Sequence, residues 1–537
     1  MNREVVMKRE HGARGNPRLT LAVVCVATFM LLLDVTIVAV ALSSIQADFK
    51  SNLSSLQWVV DAYTLPLAGL LLIAATLGDR IGRRRIFLTG MALFTAGSLA
   101  CALAWSPLVL DLTRALQGAG GALLFGVGLP LIAAAFPEPR ARASAIGTFG
   151  ATLAAATAVG PLVGGALVDG PGWRWIFLIN VPIGAAALAA GWRWLAESRA
   201  AKAQATDWLG AALLTTGLLA LLLALIRGNA DGWASAKIVA LSAAAAALLA
   251  GFIAREATAA EPMLDLRLFR RPSFAGVSFG ALAISASLIA STSYLGLYLV
   301  NTLGYSPFQA GLRFLPLTVA SFVAAPIVAR LADRVPPRFT VGGSLALAAA
   351  GMWMAAHLDG GSRWTALLAG FIIAGIGLGA ASASTSQAAL ATVDNSRAGM
   401  ATGAVNTMRQ IGIAAGVAVL GALFQHRVSA EMASHLRGAP VTPGQAHALA
   451  SAVGSGAGTR ITAAAPEAFR GLLATAARSS TAIGINEILL TGSILAGVAA
   501  LIALLVIRRE PAADAPPARA ADDTESQAEP VAAAVTQ

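Results

Sequence analysis

Leu77-Gly78-Asp79-Arg80-Ile81-Gly82-Arg83-Arg84-Arg85 closes one long apolar run, and Ala332-Asp333-Arg334-Val335, followed by Arg338, closes another far down the chain. An Asp-Arg turn at matching places in two halves is the trace of an internal repeat. In a chain this apolar, such a repeat points to a transporter built from two related halves.

Composition sets the solvent. Of 537 residues, 57% are hydrophobic and 12% charged, and mean hydropathy is +0.72. A soluble domain carries roughly a quarter charged residues, so most of this chain belongs in lipid. Runs of about 20 apolar residues, enough to cross a hydrocarbon core of roughly 30 Å, occur about fourteen times. They fall near 19–41, 57–77, 86–105, 107–133, 144–167, 175–196, 208–227, 234–254, 274–300, 309–331, 339–357, 364–389, 398–424 and 484–508. Each is expected to be helical, because lipid offers no partner to backbone N–H and C=O groups. The first run is too long for a signal peptide, carries Asp34 and has no small-residue cleavage site behind it.

The net charge of +11 is explained by where it lies. Arg3, Lys8, Arg9, Arg14 and Arg18 precede the first run, and alternate loops carry Arg80 with Arg83 to Arg85, Arg140 with Arg142, Arg199 with Lys202, Arg267 with Arg270 and Arg271, and Arg334 with Arg338. The short loops on the other side hold Lys50, Arg174, Arg227 and Arg363 between them. This asymmetry is the positive-inside bias; it predicts both termini in the cytoplasm and removes the reason to invoke nucleic acid.

The runs divide into a cytoplasmic N-terminus (1–18), a six-helix bundle (19–196), a linker with two inserted helices (197–254), a cytoplasmic connector (255–273), a second six-helix bundle (274–508) and a tail (509–537). The tail is too poor in large apolar residues to fold alone. Residues 425–483, rich in Ala, Gly, Ser and Pro, are expected to form a loose extracytoplasmic loop with a short helix near Pro466 to Arg478. Cys25 and Cys101 fall inside apolar runs as small hydrophobes, and the five histidines show no metal-ligand spacing, so neither a metal nor a cofactor is expected.

The loop at 77–85 resembles the motif between the second and third spans of the major facilitator superfamily, with Asp79 and Gly82 in place and Ala75 where a glycine is usual. Leu33-Asp34 through Leu42 resembles the first-span motif of its fourteen-span drug:proton antiporters, the EmrB/QacA type, and Arg114-Ala-Leu-Gln117-Gly118-Ala-Gly120 their fourth-span motif. Gly150 through Gly160-Pro161-Leu-Val-Gly164-Gly165 is similar to the fifth-span antiporter motif, followed by Gly172-Trp173-Arg174-Trp175-Ile-Phe177-Leu-Ile-Asn180-Val-Pro182-Ile-Gly184. The resemblance spans roughly residues 17–508. It implies an all-α polytopic protein of the bacterial cytoplasmic (inner) membrane with the major facilitator fold, two six-helix bundles plus two inserted helices. It further implies efflux of amphipathic drugs, dyes or secondary metabolites in exchange for protons. In double-membrane bacteria it also allows a periplasmic adaptor and outer-membrane channel as partners, with 425–483 the candidate contact.

The residues support this independently. A charge within a lipid span costs about 2.5–3.5 kcal/mol or more and marks a functional site by default. Asp34 lies about 10 Å from the outer end of its run, Asp61 about 6 Å and Arg114 about 10 Å, a common depth by the helix rise. Asp34 is the expected proton carrier, Arg114 its modulator and Asp61 the second acid; the bland alternative is a static buried ion pair. Asp79, Arg80, Gly82 and Arg83 are read as a conformational latch, against a plain topology signal for the arginines. Gly147, Gly150, Gly160, Gly164 and Gly165 give a face for close helix approach, with Pro161 bending it. A substrate pocket between the bundles would draw on Met30, Gln117, Gln387, Asn406, Met408 and Arg409, Arg409 serving either the pocket or a helix–helix bridge. The chain has no phosphate loop, metal spacing or nucleophile–base set, so an enzyme and an ATP-driven pump are both disfavoured. An uptake porter or a non-transporting membrane sensor or assembly partner are the rival readings.

Overall fold

The computed structural model describes residues 16–49, 53–199, 207–259, 266–331, 334–393, 398–437, 443–454, 465 and 467–508. Helices stand where the apolar runs lie. The N-terminal set is α1 (Pro17–Phe49), α2 (Leu53–Ile81), α3 (Arg83–Ala102), α4 (Pro107–Ala135), α5 (Pro139–Asp169) and α6, made of Trp175–Leu178 and Asn180–Trp194. The inserted pair is α7 (Trp208–Asp231) and α8 (Ala236–Thr258). The C-terminal set is α9 (Pro272–Thr302), α10 (Pro307–Leu331), α11 (Pro337–Ala355), α12 (Leu368–Ala391), α13 (Ala398–His435), the short α14 (Pro443–Gly454) and α15 (Glu467–Val506). Among the described residues, eleven helices are long and apolar enough to cross a membrane, and a twelfth if Trp58–Leu71 and Ile73–Ile81, bent by 50°, count as one.

The outer faces are those of lipid-solvated helices. Ile494, Val498, Leu501 and Leu505 are exposed at helical spacing along α15, as are Val319, Phe322, Val323 and Ile327 along α10. Trp192, Trp194 and Trp208 are exposed at one level, and Trp105, Trp175, Trp233 and Trp353 at helix ends on the other, as interfacial indoles are.

Without a hydrophobic drive between helices in lipid, close packing of small residues holds the bundles together. A Cβ placed on Gly118 or Gly126 of α4 would run into the Tyr63 or Leu71 carbonyl of α2, and one on Gly375 or Gly379 of α12 into the Leu317 or Ser321 carbonyl of α10. Gly90 and Gly120 bring α3 against α4 in the same way that Gly351 and Gly370 bring α11 against α12. Span 2 thus matches span 10, and span 4 matches span 12. The halves meet along two image contacts, α5 with α10 and α2 with α13. The inserted α7 leans on α2 and α13 beside that second seam. It is clipped to α8 at one end by Asp207 and Arg255 (2.8 Å) and at the other by Asp231 and Lys237 (2.7 Å).

The described residues within 425–483 are more helical than the expected loose loop with one short helix. Helix α13 continues to His435, α14 occupies 443–454 and α15 begins at Glu467. Alanine, read as loop-forming among its Gly, Ser and Pro neighbours, is the strongest helix former, and it prevailed. Ala332 and Asp333 of the second Asp-Arg turn, the first 15 residues and the 509–537 tail lie outside the described residues.

Candidate functional site

The intramembrane charges of α1 and α4 meet. Asp34 and Arg114, each 1% exposed, pair through Oδ2 and Nη1 at 2.5 Å. The other carboxylate oxygen, Oδ1, accepts from Gln117 Nε2 (2.9 Å) and Asn180 Nδ2 (3.1 Å). Arg114 also donates from Nη1 to Gln117 Oε1 (2.7 Å) and from Nε to the Val59 carbonyl (3.1 Å). Gln117 Nε2 donates to Ser98 Oγ at 2.8 Å, and the Cys101 thiol lies 3.6 Å from Gln117 Oε1. The guanidinium stacks 4.1 Å above the Tyr63 ring, whose hydroxyl donates to the Leu31 carbonyl at 3.2 Å. Five helices, α1, α2, α3, α4 and α6, therefore close over one ion pair that touches no water-filled surface. Removing two charges from water is costly unless their remaining lone pairs and protons are met, which is what Gln117, Asn180 and the Val59 carbonyl do.

Asn180 reaches Asp34 from the start of the longer segment of α6, just past Ile179. Its Oδ1 is buried with no hydrogen-bond partner among the described residues, so the carboxylate is met at the cost of an unmet amide oxygen. Asp61 lies in α2, but its side chain is outside the described residues. Of the residues read as pocket-lining, Gln117 sits wholly inside this network and Met30 in the apolar core of the N-terminal bundle.

The loop at 77–85 is a second polar centre. Asp79 and Arg83 pair at 2.7 Å with Arg83 nearly buried, and Arg83 Nη1 reaches the Pro130 carbonyl of α4 (3.5 Å). Arg80 is exposed. Gly82 adopts φ 129°, open to glycine, and a Cβ there would sit 2.6 Å from the Glu197 carboxyl carbon. Glu197 lies just beyond α6; it accepts from the Arg84 amide at the N-terminus of α3 (3.1 Å), where its charge meets the positive end of the helix dipole. The Arg83 amide donates to the Ser198 carbonyl (3.0 Å). Nothing in the sequence singled out Glu197 or Ser198; the contact bridges over a hundred residues.

On α5, the glycines face two ways. Gly160 and Gly164 pack on Thr36 and Ile37 of α1, within one turn C-terminal to Asp34, while Gly147, Gly150 and Gly165 pack on Ala329, Ala383 and Phe308 of the other half. The side chain of Pro161 is outside the described residues. In the C-terminal half Gln387 Nε2 donates to the Ala143 carbonyl of α5 (3.1 Å) and the Ala329 carbonyl of α10 (3.4 Å), tying the seam. Asn406 is buried and Met408 partly so. Arg409 Nη2 donates to Thr385 Oγ1 (2.7 Å), the Ser382 carbonyl (3.3 Å) and Ser386 Oγ (3.4 Å) of α12.

Two packed helical repeats that meet along paired seams, with an ion network sealed inside one of them, define a polytopic membrane transporter. Residues 24–417 match the family model of the Major Facilitator Superfamily. The chain belongs to the major facilitator superfamily and is a multi-pass protein of the bacterial cytoplasmic membrane, not an enzyme. It is 34% identical to the tetracenomycin C resistance and export protein of Streptomyces glaucescens, over 94% of each chain. It is 37% identical to the multidrug resistance protein Stp of Mycobacterium tuberculosis, over 81% of each. The probable actinorhodin transporter of Streptomyces coelicolor is 37% identical over 75% of this chain and 72% of its own. Among solved structures, an inward-facing bacterial homolog of the human lysosomal transporter Spinster shares the fold, with TM-score 0.56 and 18% identity over 92% of this chain and 97% of its own.

Proposed function

We propose that the protein exports amphipathic drugs or antibiotics across the cytoplasmic membrane in exchange for protons, through fourteen crossings with both termini cytoplasmic. Export is supported by the resistance and efflux relatives; the proton step rests on one observation, the sealed Asp34 network. Asp34 carries the proton. When it is protonated, Arg114 keeps the Val59 carbonyl and Gln117 Oε1 as acceptors, so the guanidinium is not stranded. Because Asp34 holds bonds to α4 and α6 at once, neutralising it loosens three helices together. That loosening is transmitted to the α5–α10 seam through Gly160 and Gly164, which rest on α1 beside it. The Asp79–Arg83 loop, anchored on Glu197, latches α2 and α3 to the end of α6 in one state. A proton moving inward through 100 mV releases about 2.3 kcal/mol, which suffices to drive export without a cofactor.

The experiment is substrate-induced proton release from liposomes holding the purified protein, wild type beside Asp34→Asn, with a panel of lipophilic cations and neutral antibiotics. Proton movement in wild type alone is expected. Proton-coupled transport retained in Asp34→Asn would remove Asp34 from the role.

A further inference from the structure

We infer that Arg409 is the receptor for an acidic group on the exported compound, a carboxylate or ionised phenol carried on an aromatic body. This rests on the export reading and adds a substrate class to it.

Arg409 lies 11 residues into α13, about 16 Å along the helix axis. A cation at that depth is expected to be paired. Yet among the described residues it has no carboxylate partner; its only acceptors are a carbonyl and two hydroxyls, all reached through Nη2. Nε is buried and unbonded. A guanidinium offers five N–H donors; Ser382, Thr385 and Ser386 take Nη2, and the Nε and Nη1 donors of Arg409 are left without an acceptor among the described residues. The residue keeps some exposed surface although it sits deep in a spanning helix.

The surroundings fit the entry of a planar body. α12 offers the small residues Ser382, Ser384, Thr385 and Ser386 on this stretch, and Met408 is the adjacent, adaptable side chain. Arg114 cannot serve the same purpose, because Asp34, Gln117 and the Val59 carbonyl already occupy it. The two intramembrane arginines therefore divide the labour: among the described residues Arg114 is neutralised by the protein, whereas Arg409 is not and is left for the cargo.

The test uses two dyes that differ in one group, rhodamine 110 with a free carboxylate and rhodamine 123, its methyl ester, with export from proteoliposomes and binding to the purified full-length protein measured in parallel. Wild type is expected to prefer the free acid. Arg409→Gln should lose about tenfold or more of that preference, the factor for a charge-assisted hydrogen bond, while still moving the ester. Arg409→Lys, which keeps the charge but not the guanidinium donors and guards against a folding defect, should keep part of the preference. An unchanged ratio of the two dyes in both variants overturns the proposal and leaves export standing. A wild type that moves neither dye, nor any compound of the wider panel, overturns the export reading and this inference with it.

Discussion

The two halves share a scaffold and treat buried charge in opposite ways. In the N-terminal bundle Arg114 is held by a carboxylate, an amide and a carbonyl inside five converging helices. In the C-terminal bundle Arg409 is held by hydroxyls and a carbonyl of a single neighbour, α12. The glycine contacts that build the bundles are nearly interchangeable, α4 on α2 and α12 on α10. The repeat thus fixes the helices and leaves the chemistry free to diverge: one half pairs its buried arginine with a carboxylate, and the other, among the described residues, does not.

That contrast breaks most decisively by truncating each arginine. Arg114→Ala strands the Asp34 carboxylate in a dry bundle and is expected to cost about 3–5 kcal/mol, read as a large fall in thermal stability of the purified protein. Arg409→Ala strands no charge and should change stability by about 1 kcal/mol or less. Equal losses would mean that Arg409 is a structural bridge and that the contrast is false.

The shared scaffold is sharpened by Gly118→Ala and Gly375→Ala. Each would push a Cβ into a backbone carbonyl that cannot rotate away, and each should cost about 1–3 kcal/mol by the same measurement. Gly165→Ala, whose Cβ would rest 3.4 Å from Phe308, is the near-neutral control. A bundle that tolerates its substitution freely is not packed as its partner is.

At the latch, Asp79→Asn removes the charge that Arg83 pairs with and should slow transport several-fold at unchanged protein abundance, for about 1–2 kcal/mol of lost interaction. Asp333→Asn asks whether the second turn does the same work; an unaffected rate there would confine the latch to the N-terminal half.

The smallest effect is expected at the C-terminal end of α1. Asp48 pairs with Arg174 at 2.7 Å and accepts from the Trp173 indole, and these bonds, Arg174 foremost, hold its carboxyl below the usual carboxylate range. A lowered folded-state pKa gives stability present above the ordinary value and lost as pH falls through the lowered one. Both side chains are over a third exposed, so Asp48→Asn should shift stability by about 0.5 kcal/mol or less and only slightly flatten the acid side of the profile.

Asp34 and Arg114 were visible as charges at one depth, since an acid in an apolar run has no other ready explanation. That Gln117 bonds to both was not visible; a glutamine beside glycines reads equally well as pocket lining. Asn180 gave only a motif match, because its role depends on the packing of α6 against α1, which brings it within 3.1 Å of a residue 146 positions away. Glu197 gave no sign at all, being one acid among loop charges until α3 and the end of α6 meet. Within 425–483 the described residues are helical where Gly, Ser and Pro suggest a loop, because the helix preference of the alanines among them outweighs the turn residues.

The sequence by itself determined the solvent, the helices and the repeat, because lipid requires long apolar runs whose spacing and flanking charges can be read along one dimension. Only the tertiary structure decided which charge is neutralised and which is left open. Pairing in a low-dielectric interior turns on a few ångströms between helices, and no linear pattern records them.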